Sequence, residues 1–291
     1  QDELDTGSFG HTSGSGVITL KTAGHYLVFA NTYVQFNQGT DSRSGYNQQL
    51  TLDGTLIDGT LTTVYLRGNA NGNSCCDGST VIGAIIETTS ADQDLNVEIN
   101  KATGTTPSLL AGRTALTIVK LPDDGEYIRL DDSGYDAFNP SSGGLGWDTE
   151  DEIDAAGFTH TDSQVGAAAD DDYLFFTTLY DNDDGNSRIK WWQRWRVNGT
   201  TIKEWGHTGR YSRNSGIQSS GNSSAMILEM TSGDYVEVVS DQLGNSGTME
   251  AREKGLQGVR IGSILLGSPI FNVEAVNVAD STADLLGTLA G

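Results

Sequence analysis

The sequence predicts an all-β protein built from two tandem antiparallel β-sandwiches, and three observations carry that expectation. The phrase DELDTGSFGHT, Asp2 to Thr12, returns as DEIDAAGFTHT, Asp151 to Thr161. The segments that follow each phrase recur in the same order. Those segments alternate apolar and polar residues over short runs rich in Val, Ile, Thr and aromatics, which is the pattern of half-buried antiparallel strands. A length of 291 residues suits two domains at roughly 150 residues each.

Taken in chain order, HYLVFANTYV (His25 to Val34) matches DYLFFTTLYD (Asp172 to Asp181), aligning Tyr26 with Tyr173, Phe29 with Phe176 and Tyr33 with Tyr180. SRSGYNQQLTLDGTLI (Ser42 to Ile57) matches SRIKWWQRWRVNGTTI (Ser187 to Ile202). Each of these is broken by a dipeptide that closes tight hairpins, Asp53-Gly54 or Asn198-Gly199. STVIGAIIETTSADQDLNVEI then matches SSAMILEMTSGDYVEVV, and RTALTIVKL (Arg113 to Leu121) matches LQGVRIGSI (Leu256 to Ile264). The first copy has Ala91 to Leu95 where the second has Gly233-Asp234-Tyr235, so its turn lacks the glycine. These matches place the copies at about 1–124 and 148–266, with 125–147 as a linker or bridging hairpin. Residues 267–291 form a C-terminal tail or connection that packs back or leads into another unit.

The blocks AGHYLVFANTYV, the strand ending in Asn-Gly and SGDYVEVV before a closing apolar strand resemble the jelly roll of the tumour necrosis factors and the complement C-one-q globular heads. The phrase WDTEDEIDAAGFTHT, Trp147 to Thr161, resembles versions found in virus and phage structural proteins. The resemblance implies two tandem antiparallel jelly-roll β-sandwiches, a homotrimer around a three-fold axis, and a role in binding and assembly.

Charge narrows the partners. Thirty-nine acidic and 17 basic residues give a net charge of −22, which repels phosphate backbones and anionic membrane surfaces and so argues against nucleic acid as a partner. No run approaches the ~20 apolar residues of a membrane span, so no membrane insertion is expected. An acidic, lysine-poor surface also suits a salty, halophilic setting in which cations screen self-repulsion. The chain starts at Gln1, consistent with a removed signal peptide or a processed piece.

Several residue groups invite a functional reading, each beside a plainer one. Asp2, Glu3, Asp5 and His11, echoed by Asp151, Glu152, Asp154 and His160, have the composition of a metal or acid–base site, but strand alternation divides the carboxylates between faces and Phe9 and Phe158 look like core anchors. Asp181, Asp183 and Asp184, beside Gly185, offer closely spaced oxygen ligands for calcium on a turn; the plainer alternative is a solvated acidic loop. The only cysteines, Cys75 and Cys76, are adjacent, as free thiols or a vicinal disulfide. Asn198 and Asn222 stand in glycosylation sequons.

The largest difference between the copies lies on one strand. Ile189, Trp191, Trp195 and Val197 share an apolar face, whereas the opposite face carries Lys190, Trp192, Arg194 and Arg196 in place of the Gly45, Asn47, Gln49 and Thr51 of copy one. Trp and Arg concentrate at buried interface centres, so this face is expected to be a subunit contact or a platform for a receptor or glycan. No Gly-rich phosphate loop, G-x-S-x-G elbow or H-E-x-x-H helix is present, and His25 and His207 are isolated, so no enzyme is expected. The function expected is that of a virion structural protein of a bacterial or archaeal virus: a trimeric capsid decoration, turret, spike or fibre at the virion surface, contacting itself and other virion proteins. The alternative is a secreted or cell-surface, extracellular microbial adhesin or filament subunit.

Overall fold

The computed structural model describes residues 6–12, 15–35, 43–67, 77–104, 108–109, 113–132, 136–138, 144–183, 189–201, 207–212, 219–243, 249–264, 270–275 and 287–288. The chain forms two compact units, one of Gln1–Asp123 with Leu266–Gly291 and the other of Asp124–Leu265. Unit 1 contains β1 (Phe9–His11), β2 (Val17–Leu20), β3 (Gly24–Gln35), β4 (Arg43–Leu52), β5 (Thr55–Leu56), β6 (Thr62–Arg67), β7 (Asp77–Thr88), β8 (Gln93–Gly104), β9 (Ser108–Leu109) and β10 (Ala115–Lys120). Unit 2 contains β11 (Tyr127–Asp132), β12 (Asp136–Phe138), β13 (Thr149–Ile153), β14 (Phe158–Thr161), β15 (Gln164–Ala167) and β16 (Asp171–Asp183), then β17 (Ile189–Val197), β18 (Thr200–Thr201), β19 (His207–Ser212), β20 (Ser219–Met230), β21 (Tyr235–Leu243) and β22 (Met249–Arg260). Two further strands, β23 (Ile270–Ala275) and β24 (Gly287–Thr288), belong to unit 1.

Each unit is a two-sheet sandwich of jelly-roll topology, in which the chain passes repeatedly from one sheet to the other. In unit 1 one sheet runs β1-β2-β8-β4-β5 with β6 on β4, and the other runs β24-β23-β10-β3-β7 with β9 on β3. Unit 2 repeats this as β14-β15-β21-β17-β18 with β19 on β17, and β13-β11-β22-β16-β20 with β12 on β22. The pairings are antiparallel throughout, and one face of each sheet alternates into the core. The unit 1 core sets Phe9, Ile18, Leu50 and Leu95 of the first sheet against Tyr26, Val28, Ile86 and Leu116 of the second. The unit 2 core does the same with Phe158, Trp195 and Val238 against Tyr173, Phe175 and Leu256.

The repeated opening phrase marks how each core begins. Phe9 meets Tyr26 edge-on at 5.8 Å, and Phe158 meets Tyr173 edge-on at 5.3 Å, the geometry that aromatic quadrupoles favour. Each tyrosine hydroxyl donates to the carbonyl four residues earlier, Thr22 O at 2.7 Å and Ala169 O at 2.8 Å. The hairpin dipeptides behave as their residue types require. Asp53 and Gly54 have φ of 50° and 75°, and Asn198 and Gly199 have 50° and 72°, the paired positive values of a tight hairpin turn.

Several expectations need correction. The stretch 125–147, expected as a linker or bridging hairpin, supplies β11, which lies between β13 and β22 inside a unit 2 sheet. Its backbone groups fill a place that would otherwise be an open sheet edge. Within residues 267–291, β23 pairs with β10. The closing strands align three residues away from the sequence match, because Leu116 faces Ala30 while Leu256 faces Thr177, the residue equivalent to Ala30. The Gly-less turn of the first copy also keeps its geometry, with Asp92 at φ 58° standing where Gly233 has φ 94°. Aspartate tolerates the left-handed region better than most side chains.

Candidate functional site

Strand β17 holds the most distinctive side chains of the protein. Its alternation sends Trp191, Gln193 and Trp195 into the unit 2 core, all buried, and leaves Lys190 exposed with Trp192, Arg194 and Arg196 half-buried on the other face. The sheet fixes their surroundings, because β17 pairs with β19 on one side and β21 on the other. Trp192 sits between Gly209 and Asp241, and Arg194 between His207 and Val239. Gly209 places no side chain beside the indole; a β-carbon there would lie 3.9 Å from Trp192 Cβ. Arg196 is committed within the sheet, since its Nη2 lies 3.1 Å from Glu237 Oε2 while Glu237 Oε1 accepts from Ser163 Oγ at 3.2 Å. The group expected from the sequence therefore shares one face of β17, with Lys190 exposed, Trp192 and Arg194 half-buried, and Arg196 paired with Glu237.

In the second copy the acidic, His-bearing phrase divides among separate contacts. Asp2, Glu3 and Asp5 lie outside the described residues. His11 Nε2 donates to Ser15 O at 3.1 Å. In the second copy His160 Nε2 donates to Asp162 O at 2.8 Å and Nδ1 faces Glu150 Oε1 at 2.6 Å. Asp151 and Glu152 instead flank Arg129, at 3.5 and 3.8 Å, and Asp154 Oδ1 caps the backbone N–H of Ala156 at 2.9 Å.

The acidic group beginning at Asp181 has a different character from the exposed turn that its sequence suggests. Strand β16 continues through Asp183, and Asp181 lies in it with no solvent exposure. Among the described residues, neither of its carboxylate oxygens meets a hydrogen-bond partner. Burial pushes this carboxyl well above the ordinary aspartate range, because a charge in an apolar setting without compensation is costly. Asp183 follows two residues on in the same strand; Asp184 lies outside the described residues, as do Cys75 and Cys76.

The two sequons differ. Asn198 sits exposed at its hairpin turn, where its Nδ2 donates to Asp234 Oδ1 at 2.7 Å. Asn222 is 3 % exposed and its Nδ2 donates to Thr208 Oγ1 at 2.5 Å, so the folded unit closes that nitrogen to a glycan.

Two buried polar features stand apart from the residues singled out in the sequence. Gln48 and Gln193 occupy the same core position in the two units and are fully buried. Gln48 Oε1 accepts from Thr32 Oγ1 at 2.8 Å and its Nε2 donates to Ala30 O at 3.0 Å, while Gln193 Nε2 donates to Thr177 Oγ1. Their recurrence inside otherwise apolar alternation was a readable signal. Lys254 and Asp132 form a buried ion pair between β22 and β11, which no local pattern announces.

No protein-family model matches the chain, and no curated protein sequence matches it. Solved structures do. The globular domain of zebrafish complement 1qA is similar at 14 % identity and TM-score 0.37, over 47 % of this chain and 97 % of that one. A TNF, Eiger, from S. frugiperda is similar at 14 % identity and TM-score 0.35, over 47 % and 91 %. Murine APRIL is similar at 12 % identity and TM-score 0.33, over 47 % and 99 %. These are jelly-roll proteins of the C1q and TNF kind named from the sequence; the strand order within each unit carries the fold assignment by itself.

Proposed function

We propose that the protein is a non-enzymatic structural and attachment component of an extracellular assembly, most specifically a homotrimeric decoration, turret, spike or fibre on the surface of a virus particle with a bacterial or archaeal host. The observation that carries this reading is the face of β17, where Lys190, Trp192 and Arg194 stand outward on a sheet whose unit 1 counterpart bears Gly45, Asn47 and Gln49. A tryptophan between cations suits desolvated contact better than open surface. In a chain of net charge −22, the cations of that face attract acidic surface on a neighbouring copy. Closed symmetry then uses the face three times, and three weak attachments act together with the gain of avidity. Unit 1, with its plain polar face, serves as spacer or docking module. Among the described residues no helix is long and apolar enough to cross a membrane.

The test is mass in solution, in high salt where self-repulsion is screened, for the natural chain and for Trp192→Ala with Arg194→Ala. A natural trimer that the substitutions reduce to monomer supports the face as a subunit contact. An intact substituted trimer that no longer binds host cells makes it a receptor platform instead. A natural chain that stays monomeric at micromolar concentration overturns the reading. A cell-surface adhesin or filament subunit is the second reading, favoured by the strand relationship described next.

A further inference from the structure

Two strands complete sheets in units other than the one whose closing strand they follow. The closing strand of unit 1, β10, is followed by β11, which pairs with the closing strand of unit 2, β22. The closing strand of unit 2 is followed by β23, which pairs with β10. The two placements agree residue for residue. On β22, Ile128 stands beside Gly258 and Leu130 beside Leu256; on β10, Phe271 stands beside Ile118 and Val273 beside Leu116. Gly258 and Leu256 face Phe175 and Thr177, and Ile118 and Leu116 face Val28 and Ala30, which are the same positions counted from the paired tyrosines Tyr173 and Tyr26. The sequences YIRLDD and IFNVEA also place apolar residues in the same phase. A slip of one residue would turn that set to the opposite face, so the match in register is specific.

We propose that β23 is a donated strand, and that its receiver in the assembled protein is the β10 edge of a second copy of this chain. The rule that β11 obeys is forward delivery: a strand leaves one unit and completes the next. Applied to β23, forward delivery reaches unit 1 of a neighbouring copy, and the copies join head to tail. Main-chain hydrogen bonds supply the attraction and the alternate side-chain positions supply the selectivity, as in other cases of strand addition. Closing the strand into its own chain and passing it to a neighbour make the same pairing, so exchange between the two sacrifices no ladder bond; a head-to-tail contact that does not close on itself extends into a filament. High salt favours joining, since it screens the repulsion between acidic copies.

The register supplies a direct test in the full-length chain. Thr117 and Asn272 are paired residues, and facing strand positions lie within disulfide reach. In a background of Cys75→Ser and Cys76→Ser, one population carries Thr117→Cys and another carries Asn272→Cys; the two are mixed at rising concentration in high salt and oxidised. Neither population can close this bond within its own chain. The proposal expects a disulfide-linked band at twice the chain mass, containing one chain of each kind and increasing at least tenfold between micromolar and near-millimolar protein. A chain carrying both substitutions is expected to give a ladder of linked copies. If the doubly substituted chain cross-links only within itself at every concentration, or if no link forms in either experiment while circular dichroism matches that of the natural chain, the proposal is wrong. This outcome is independent of the trimer, whose contact face and mass test involve β17.

Discussion

Val34 and Asp181 hold the same place in the two units. Val34 pairs with Gly78 across β3 and β7, and Asp181 pairs with Ser220 across β16 and β20, in matching register. Val34 packs with Tyr46, Val64 and Leu66 in an apolar cluster. Asp181 is equally buried, yet its carboxylate oxygens have no hydrogen-bond partner among the described residues. One unit thus shows what the other would gain from an apolar residue at this position.

The expected outcome of Asp181→Val is a more stable unit 2 at neutral pH, by on the order of 1–3 kcal/mol, the usual cost of an unsatisfied buried polar group. Its pH dependence follows from the raised carboxyl. In the unfolded chain aspartate releases its proton near about pH 3.9. Between that value and the higher folded one, the folded unit holds a proton that the unfolded chain has lost. Stability therefore falls as pH rises through this window, and is level below it and above it. The advantage of the valine variant should shrink toward pH 4. Urea unfolding followed by tryptophan fluorescence measures this, because all five tryptophans, at 147, 191, 192, 195 and 205, belong to unit 2. An advantage that does not change with pH would show that Asp181 carries the same charge in the folded and the unfolded chain across this window.

The same comparison shows what was legible in the sequence and what was not. Strand alternation, the Asp53-Gly54 and Asn198-Gly199 turns and the outward face of β17 are local patterns, and the structure keeps them. Asp181 was only half legible: the repeat aligns it with Val34 at the end of a strand block, but YDNDDGNSR has turn composition, while the pairing of β16 with β20 and β22 carries the strand on to Asp183. The place of β11 was not legible because its partner, β22, lies far along the chain; Lys254 is 122 residues from Asp132. The three-residue shift of the closing strand has a related cause: apolar alternation defines which residues face inward but not which neighbour each one meets.

The buried pair of Lys254 and Asp132 tests the assignment of β11 to unit 2. Asp132→Ala leaves the lysine charge in the core and should cost about 3–5 kcal/mol, the range for breaking such a pair from one side. Replacing both partners, Asp132→Leu with Lys254→Met, should recover most of that loss, because two desolvated charges are removed together. Urea midpoints from tryptophan fluorescence read both variants. If Asp132→Ala alone unfolds at the natural midpoint, β11 does not contribute to the unit 2 sheet in solution.

Asn198 and Asp234 clasp two turns of unit 2, and their titration runs opposite to that of Asp181. Asp234 accepts from Asn198 Nδ2 at 2.7 Å, Thr231 N at 2.9 Å and Thr231 Oγ1 at 2.8 Å. The Asn198 amide first, and then the Thr231 backbone and hydroxyl, hold its carboxyl below the ordinary range. A depressed carboxylate stabilises the fold fully above its unfolded value, near about 3.9, and the contribution disappears as pH falls through the lower folded value. Asp234→Ala should therefore weaken unit 2 at pH 7 and make progressively less difference below pH 4. The clasp is exposed, so solvent screening keeps the effect under about 1 kcal/mol. Asn198→Ala should weaken the unit by a similar amount, and the double variant should cost less than the sum, since the two side chains act through one contact. Unit 1 has an analogous clasp, in which Asp53 Oδ1 accepts from Asp94 N at 2.8 Å and Oδ2 from Gln93 Nε2 at 2.8 Å. Asp53→Ala should leave the tryptophan-monitored transition unchanged, and a shift in that transition would show that the two units do not unfold independently.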